Sequence, residues 1–166
     1  MEKNLTINAI LACDTEYGIG KNNALPWPRS NDDMKWFREN TIHHVVVMGR
    51  KTWMSIENKA LTDRINVVIT NSPEILEGSP DMISYGDMGK LLQTIEMSYP
   101  NKIVWVIGGA EIYDQALPYC HNLYLTKFKQ RYDCNKFIDK ELITPFTTLL
   151  NSKSTDECTF SVWSRG

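Results

Sequence analysis

Several features are missing from this chain, and each absence removes a class of function. The amino terminus, MEKNLTINAILACD, has too short an apolar run for a secretory signal or a membrane-spanning helix. Charge of one sign is also missing: 20 acids face 18 bases, for a net of −2. That balance leaves no electrostatic footprint for nucleic acid or an anionic membrane. The four cysteines, Cys13, Cys120, Cys134 and Cys158, form no CxxC pair, so a zinc or redox motif has no support. Without a secretory signal, reduced and mostly buried thiols are expected rather than disulfides. The three histidines offer little to a metal, because His43 and His44 are adjacent and His121 is far off. Loop or helix-end roles are expected for them, and no metal. No internal repeat, low-complexity tract or linker interrupts the chain. A cytosolic protein is therefore expected, of 166 residues, a length that suits one domain, with 42% hydrophobic residues to form its core.

Short β-rich runs alternate with helical patterns. Strands are expected at 5–13, 45–49, 65–70, 103–107, 123–128 and 158–164. The runs VVVM and INVVI are nearly continuous in apolar β-branched residues, as in strands covered on both faces. Helices are expected at 31–40, 52–57, 87–97 and 109–116. Met34 and Phe37 share one helical face, as do Leu91, Leu92 and Ile95. The early strand–helix alternation predicts an α/β fold, with a mainly parallel sheet and helices on both faces. The last third loses its helices and ends on two strands, which predicts an antiparallel carboxy-terminal edge.

Five segments could carry chemistry. Ile107-Gly108-Gly109 follows a strand and opens a helix, where backbone can approach a ligand and helix N–H groups can meet a phosphate. It is not GxGxxG, and an ordinary tight turn fits it equally. Met48-Gly49-Arg50-Lys51-Thr52-Trp53 places two cations and a hydroxyl at a strand end. This suits a phosphomonoester, or else a solvated basic helix start capped by Thr52. Cations oppose the dipole at a helix start, which favours the first reading. The run from Gly18 to Pro28 is a long loop holding Leu25 and Trp27, the kind that forms lids. Ser30-x-x-Asp33 matches a capping box. Asp33 also lies one turn before Phe37 on the same helical face, so a carboxylate beside an aromatic wall could hold an amino-pyrimidine. Arg64 precedes a strand and either pairs with Asp63 or binds a carboxylate. The residues alone leave each of these alternatives open.

The order of these segments is more specific than any one of them. GIGKNNALPW, an acid–x–x–x–Phe helix, VVMGRKTW, an Arg before a strand, VIGGAEIY and LYLT together resemble dihydrofolate reductase over residues 5 to 128. The resemblance implies a single α/β domain with a twisted, mainly parallel sheet of about eight strands. It implies reduction of dihydrofolate to tetrahydrofolate with NADPH, a step of one-carbon metabolism and a target of antifolate-type small molecules. It also implies a monomer. In the resemblance, Asp33 holds the pterin and supports protonation, Trp27 helps order a water near it, and Thr126 supports the acid. Ile10, Leu11, Met34, Phe37, Ile56 and Leu61 wall the pterin and aminobenzoyl rings, with the Ile10 and Ile107 carbonyls near the pterin edge. Arg64 clamps the glutamate α-carboxylate. Ala12 and Ile19 lie near the nicotinamide, with Gly20 alongside and Leu25 on the lid above. Gly49 precedes Arg50, which faces the adenosine 2′-phosphate, with Lys51 and Thr52 beside the phosphates. Thr70 and Asn71 contact the adenosine half. Gly108, Gly109, Ala110, Glu111 and Ile112 approach the pyrophosphate, and Tyr113 lies near the nicotinamide and pterin. The Gly108–Gly109 peptide is implied to be cis.

Two departures stand out. Glu111 is acidic where some relatives carry a base near the pyrophosphate. Ile138 replaces the proline of the family's Asp-Thr-x-Phe-Pro stretch, which leaves the lid's closing contact around Asp133–Ile138 unspecified. Two other functions stay in view: a pyrimidine reductase of the same fold, and a non-catalytic folate- or nucleotide-binding module.

Overall fold

A computed structural model describes residues 5–22 and 24–166. The first four residues of the terminus read above, and Asn23 of the long loop, lie outside them. The strands β1 (Ile7–Cys13), β2 (Gly18–Gly20), β3 (Val45–Gly49), β4 (Ile65–Ile69), β5 (Met82–Ser84), β6 (Val104–Gly108), β7 (Asn122–Phe128), β8 (Lys136–Phe137), β9 (Phe146–Ser154) and β10 (Cys158–Arg165) alternate with five helices. The helices are α1 (Asn31–Thr41), α2 (Arg50–Ser55), α3 (Met88–Ser98), α4 (Ala110–Ala116) and α5 (Lys140–Ile143). Eight strands form one sheet in the order β5-β4-β3-β6-β1-β7-β10-β9, while β2 pairs separately with β8. Pairing is parallel from β5 to β7, and antiparallel where β10 joins β7 and β9. The mixed sheet with an antiparallel carboxy-terminal edge is the expected architecture.

Alternation along the central strands sorts the core into two layers. Val45, Val47, Val67 and Ile69 pack with Leu91, Leu92 and Ile95 of α3 and Ile112 and Ala116 of α4. On the other face Val46, Met48 and Val68 meet Trp53 of α2 and the partly buried Trp36 and Phe37 of α1. Every residue of β3 is buried, as its unbroken apolar run requires.

Helix starts follow local chemistry. The Ser30 side chain accepts from the Asp33 N–H and caps α1, whose first turn carries Asp32 and Asp33 and whose last turn carries Arg38. Asp87 caps α3 in the same way. The second helix begins two residues before the expected 52–57, because β3 runs straight into it. Its cap is Gly49, not Thr52, and no side chain serves it. Strands β2, β5, β8 and β9 and helix α5 were not expected, so the last third does hold a short helix.

The cysteines are free, with Cys134 half-buried and the others buried. Burial raises Cys13 and Cys120 to about 12. His121 Nδ1 accepts from Ile7 N–H at 3.0 Å and His44 Nδ1 from Ile103 N–H at 3.1 Å, so both fasten loops to the sheet. No cluster of metal-ligating side chains, and no helix long and apolar enough to cross a membrane, occurs among the described residues.

Candidate active site

Parallel strands leave a crevice at their carboxyl ends, where the chain turns away to helices on either face. Here that crevice is a cavity of about 820 Å³, lined from the ends of β1, β3, β4, β6 and β7 and from the faces of α1, α2 and α4. Its middle is apolar: Ile10, Leu11, Met34, Phe37, Ile56, Leu61 and Ile107 all line it.

One acid stands in this apolar stretch. Asp33 lines the cavity four residues before Phe37, whereas Asp32, one residue earlier, is exposed. The capping and functional readings of Ser30-x-x-Asp33 coexist, because the cap uses the Asp33 N–H at 3.2 Å and leaves its carboxyl to the cavity. Burial raises Asp33 above the ordinary carboxyl range; the hydroxyl of Thr126 pulls the other way, and the charge of Glu157 adds to the rise. Thr126 is itself buried at the end of β7. Close by, Tyr113 donates to the Ile10 carbonyl at 2.7 Å, and burial keeps its phenol protonated.

At one mouth of the cavity stand Arg64 and Arg38. Arg64 does not pair with its neighbour Asp63, which instead lies 4.0 Å from Arg38. Arg64 donates to the Thr62 carbonyl at 3.0 Å and to Thr41 Oγ1 at 3.1 Å, and packs 5.8 Å over the Phe37 ring. Burial, then the charge of Arg38, lowers its pKa. An incoming carboxylate would relieve that strain between like charges.

The other end is polar and basic. Gly49, Arg50, Lys51 and Thr52 line it together with Thr70 and Asn71, opposite Gly108, Gly109, Ala110, Glu111 and Ile112. Arg50 and Lys51 occupy the first turn of α2, where no acid accompanies them, and neither joins an ion pair among the described residues. A Cβ on Gly49 would come within 2.9 Å of Ile112 Cγ1, so glycine lets the two strand–helix turns close on each other. The Gly108–Gly109 peptide is cis.

The long loop covers the middle. Ile19, Gly20, Ala24 and Leu25 line the cavity, with Leu25 still 66% exposed. Ala12, at the end of β1, lies beneath. The closing contact absent from the motif is present in the structure. Gly18 and Gly20 pair with Phe137 and Lys136, and the Ile138 N–H donates to the Tyr17 carbonyl at 3.0 Å. A proline at 138 has no N–H to give. Lys21 and Asp133 meet at 2.7 Å, and Asn22 and Asn135 exchange hydrogen bonds. Beneath them the buried Asp14 carboxylate accepts from the N–H groups of Gly18, Glu16 and Tyr132 at 2.8–2.9 Å. Burial pushes Asp14 up, but those donors prevail and hold it below its ordinary value.

Of the residues to which the resemblance assigns a place at the ligands, Trp27 alone does not line the cavity. It is 6% exposed, stacked on Phe128 at 4.6 Å and edge-on to Tyr132 at 5.9 Å. An apolar cluster of Phe128, Cys158 and Phe160 takes its indole instead. Conversely, Arg38, Ser55, Ser72, Gly86, Gln115 and Lys136 line the cavity without having been expected. Asn66 was missed as well. It lies buried outside the cavity, and its amide bonds both the N–H and the carbonyl of Leu61 and the carbonyl of Arg64, which sets that wall.

A sequence model of the family described as dihydrofolate reductase matches residues 6–163. The chain belongs to the dihydrofolate reductase family. Its members are oxidoreductases, and this reductase is an enzyme of that class. The reductase is 35% identical over 144 residues to dihydrofolate reductase of Rattus norvegicus, covering 79% of this chain and 77% of the relative. It is 42% identical over 122 residues to that of Buchnera aphidicola subsp. Schizaphis graminum, covering 74% and 71%. Among solved structures, dihydrofolate reductase from Enterococcus faecalis, complexed with NADP(H) and RAB-propyl, superposes with a TM-score of 0.79 at 25% identity. That match covers 97% of this chain and 96% of the other.

Proposed function

We propose that this reductase converts 7,8-dihydrofolate to 5,6,7,8-tetrahydrofolate with NADPH, adding a hydride at C6 and a proton at N5. One observation carries the reading: a single cavity holds an isolated acid on an apolar wall, a guanidinium pair at one mouth and a basic strand–helix turn at the other. A flat pterin, an acidic tail and a phosphorylated dinucleotide need those three environments in that order.

The residues present fit NADPH. Two strand–helix turns approach closely because Gly49 has no Cβ, and Arg50 and Lys51 stand at a helix start that favours anions, with no acid among their ion-pair partners. When bound, NADPH supplies the hydride. The protein does the rest. Asp33, with Thr126 behind it, holds the pterin's amino group and ring nitrogen and keeps a proton near N5. Ile10, Leu11, Met34, Phe37, Ile56 and Leu61 flank the rings, and the carbonyls of Ile10 and Ile107 face the pterin edge. Arg64, with Arg38 beside it, takes the tail carboxylate. Arg50 takes the 2′-phosphate, Lys51 and Thr52 adjoin the phosphates, and Thr70 and Asn71 adjoin the adenosine. Gly108 to Ile112 follow the pyrophosphate. Ala12, Ile19, Gly20, Leu25 and Tyr113 enclose the nicotinamide and keep water from it.

Consumption of NADPH on adding dihydrofolate, with tetrahydrofolate formed in equal amount, tests the proposal. Turnover of a ribosylamino-pyrimidine instead would assign the chain to the pyrimidine branch of the fold. Binding of both ligands without turnover would make it a non-catalytic module.

A further inference from the structure

Asp33 is approached from behind as well as from the cavity. The Ser30 Oγ that accepts from its N–H has one proton of its own to give, and gives it to Glu157 Oε1 at 2.5 Å. A serine cap needs only to accept. Donation to a carboxylate adds a charge-assisted bond that capping does not require. Glu157 lies in the turn between β9 and β10, and that turn is anchored. The Glu157 carbonyl accepts from the Lys129 N–H at 2.9 Å, the Thr155 N–H donates to the Cys158 carbonyl at 2.8 Å, and the Lys129 ammonium reaches the Thr155 carbonyl. Cys158, the next residue, is buried and pairs with Phe128 at the end of β7. Strand β7 also carries Thr126, the partner of the Asp33 carboxyl.

We propose that Glu157 is a positioning residue for Asp33: by clamping the Ser30 hydroxyl it fixes the start of α1 against β7, and it holds a negative charge behind the carboxyl. The inference rests on the reading of Asp33 as the group that supplies the proton. Glu157 does not line the cavity, so it acts through Ser30 and through its charge. A carboxylate at that place favours the protonated form of Asp33, in the same direction as burial and against the Thr126 hydroxyl. The other groups facing Asp33 are Tyr113 of α4 and Cys158 of β10, while Asp32 on its own helix is exposed. Lys153 of β9 sits 5.5 Å over the Trp36 ring, further along α1. Burial keeps Tyr113 and Cys158 neutral, so within this set the charge behind Asp33 comes from Glu157.

The test is the pH profile of turnover with saturating NADPH and dihydrofolate. Glu157→Gln removes the charge and keeps an acceptor for Ser30. The limb on which the rate falls with rising pH should move acidward by roughly 0.2–0.7 of a pH unit, the scale of an exposed charge pair. The rate at neutral pH should therefore drop more than the plateau at low pH. Glu157→Lys should move the limb further in the same direction. In a Ser30→Ala background, Glu157→Gln should move it by less than half as much, because the charge is no longer held in place. Superimposable profiles for the parent, Glu157→Gln and Glu157→Lys would overturn the proposal, as would a full-sized shift in the Ser30→Ala background. Asp33→Asn run alongside separates the two levels. If it leaves turnover intact, the reading of Asp33 fails. If it cripples turnover while the Glu157 profiles superimpose, only the role of Glu157 fails.

Discussion

At the scale of single residues, neighbours in sequence have unlike fates. Asp33 faces the cavity with a raised pKa, and Asp32 is exposed at a helix start. Asp33→Asn should cut turnover at neutral pH by ~10²–10⁴, with part of the loss recovered as pH falls. Asp32→Asn should change it only a few-fold. The same carboxyl costs stability. Its folded pKa lies above its unfolded value, so the native state holds the proton longer, and stability falls as pH rises from the ordinary carboxyl value through the raised one. Asp33→Asn should therefore raise Tm at neutral pH and leave it unchanged near about pH 3; an unchanged Tm at both would show that the carboxyl is not strained. The cationic ends give a second pair of contrasts. Arg50→Ala should weaken NADPH by roughly tenfold or more while sparing NADH, on the ~1.5–3 kcal/mol of a charged hydrogen bond. Glu111 is exposed in the first turn of α4 and lines the same cavity as Arg50. Glu111→Arg should tighten NADPH, measurable by titration calorimetry; weaker binding would place the pyrophosphate elsewhere.

Among the elements, the lid depends on pairings between segments far apart in sequence. Strands β2 and β8 are three and two residues long, and neither has a period to read. They form because Asp14 gathers N–H groups from both sides and Ile138 supplies one more. Ile138→Pro should break the Tyr17 bond, speed amide exchange at Gly18 and Gly20, and loosen NADPH. Unchanged exchange would mean that the Lys21–Asp133 and asparagine contacts suffice. The edge strand β9 escaped sequence reading for a related reason: FTTLLNSKS has no apolar alternation, since eight of its nine residues are exposed. By contrast β3, β4 and β6 were legible because burial on both faces forces nearly continuous apolar runs. The cavity-lining side chains were legible where they stood at strand ends or at helical spacing, as with Asp33 and Phe37. Asp14 and Asn66 were not, because their partners are backbone groups of other loops. The packing of Trp27 was not legible either, because its sequence position says nothing of the pocket formed by Phe128 and Phe160.

The whole molecule divides its labour along the sheet: the parallel half, out to Thr126 on β7, opens the cavity and bonds the acid, and the turn of the antiparallel edge brings Glu157 to Ser30. Ligands that bind only the folded state should stabilise it by mass action, about 2.7 kcal/mol at a hundredfold excess over Kd. NADPH and an antifolate together should raise Tm more than either alone if they share the cavity end to end. The central claim is that this one cavity brings the nicotinamide face to face with C6 of the pterin. It is tested most directly by a single turnover of the full chain with dihydrofolate and NADPH deuterated at the transferred C4 position. The account predicts tetrahydrofolate carrying one deuterium at C6 and a solvent-derived proton at N5. Product with solvent hydrogen at C6, or deuterium lost from the cofactor without tetrahydrofolate, would contradict it.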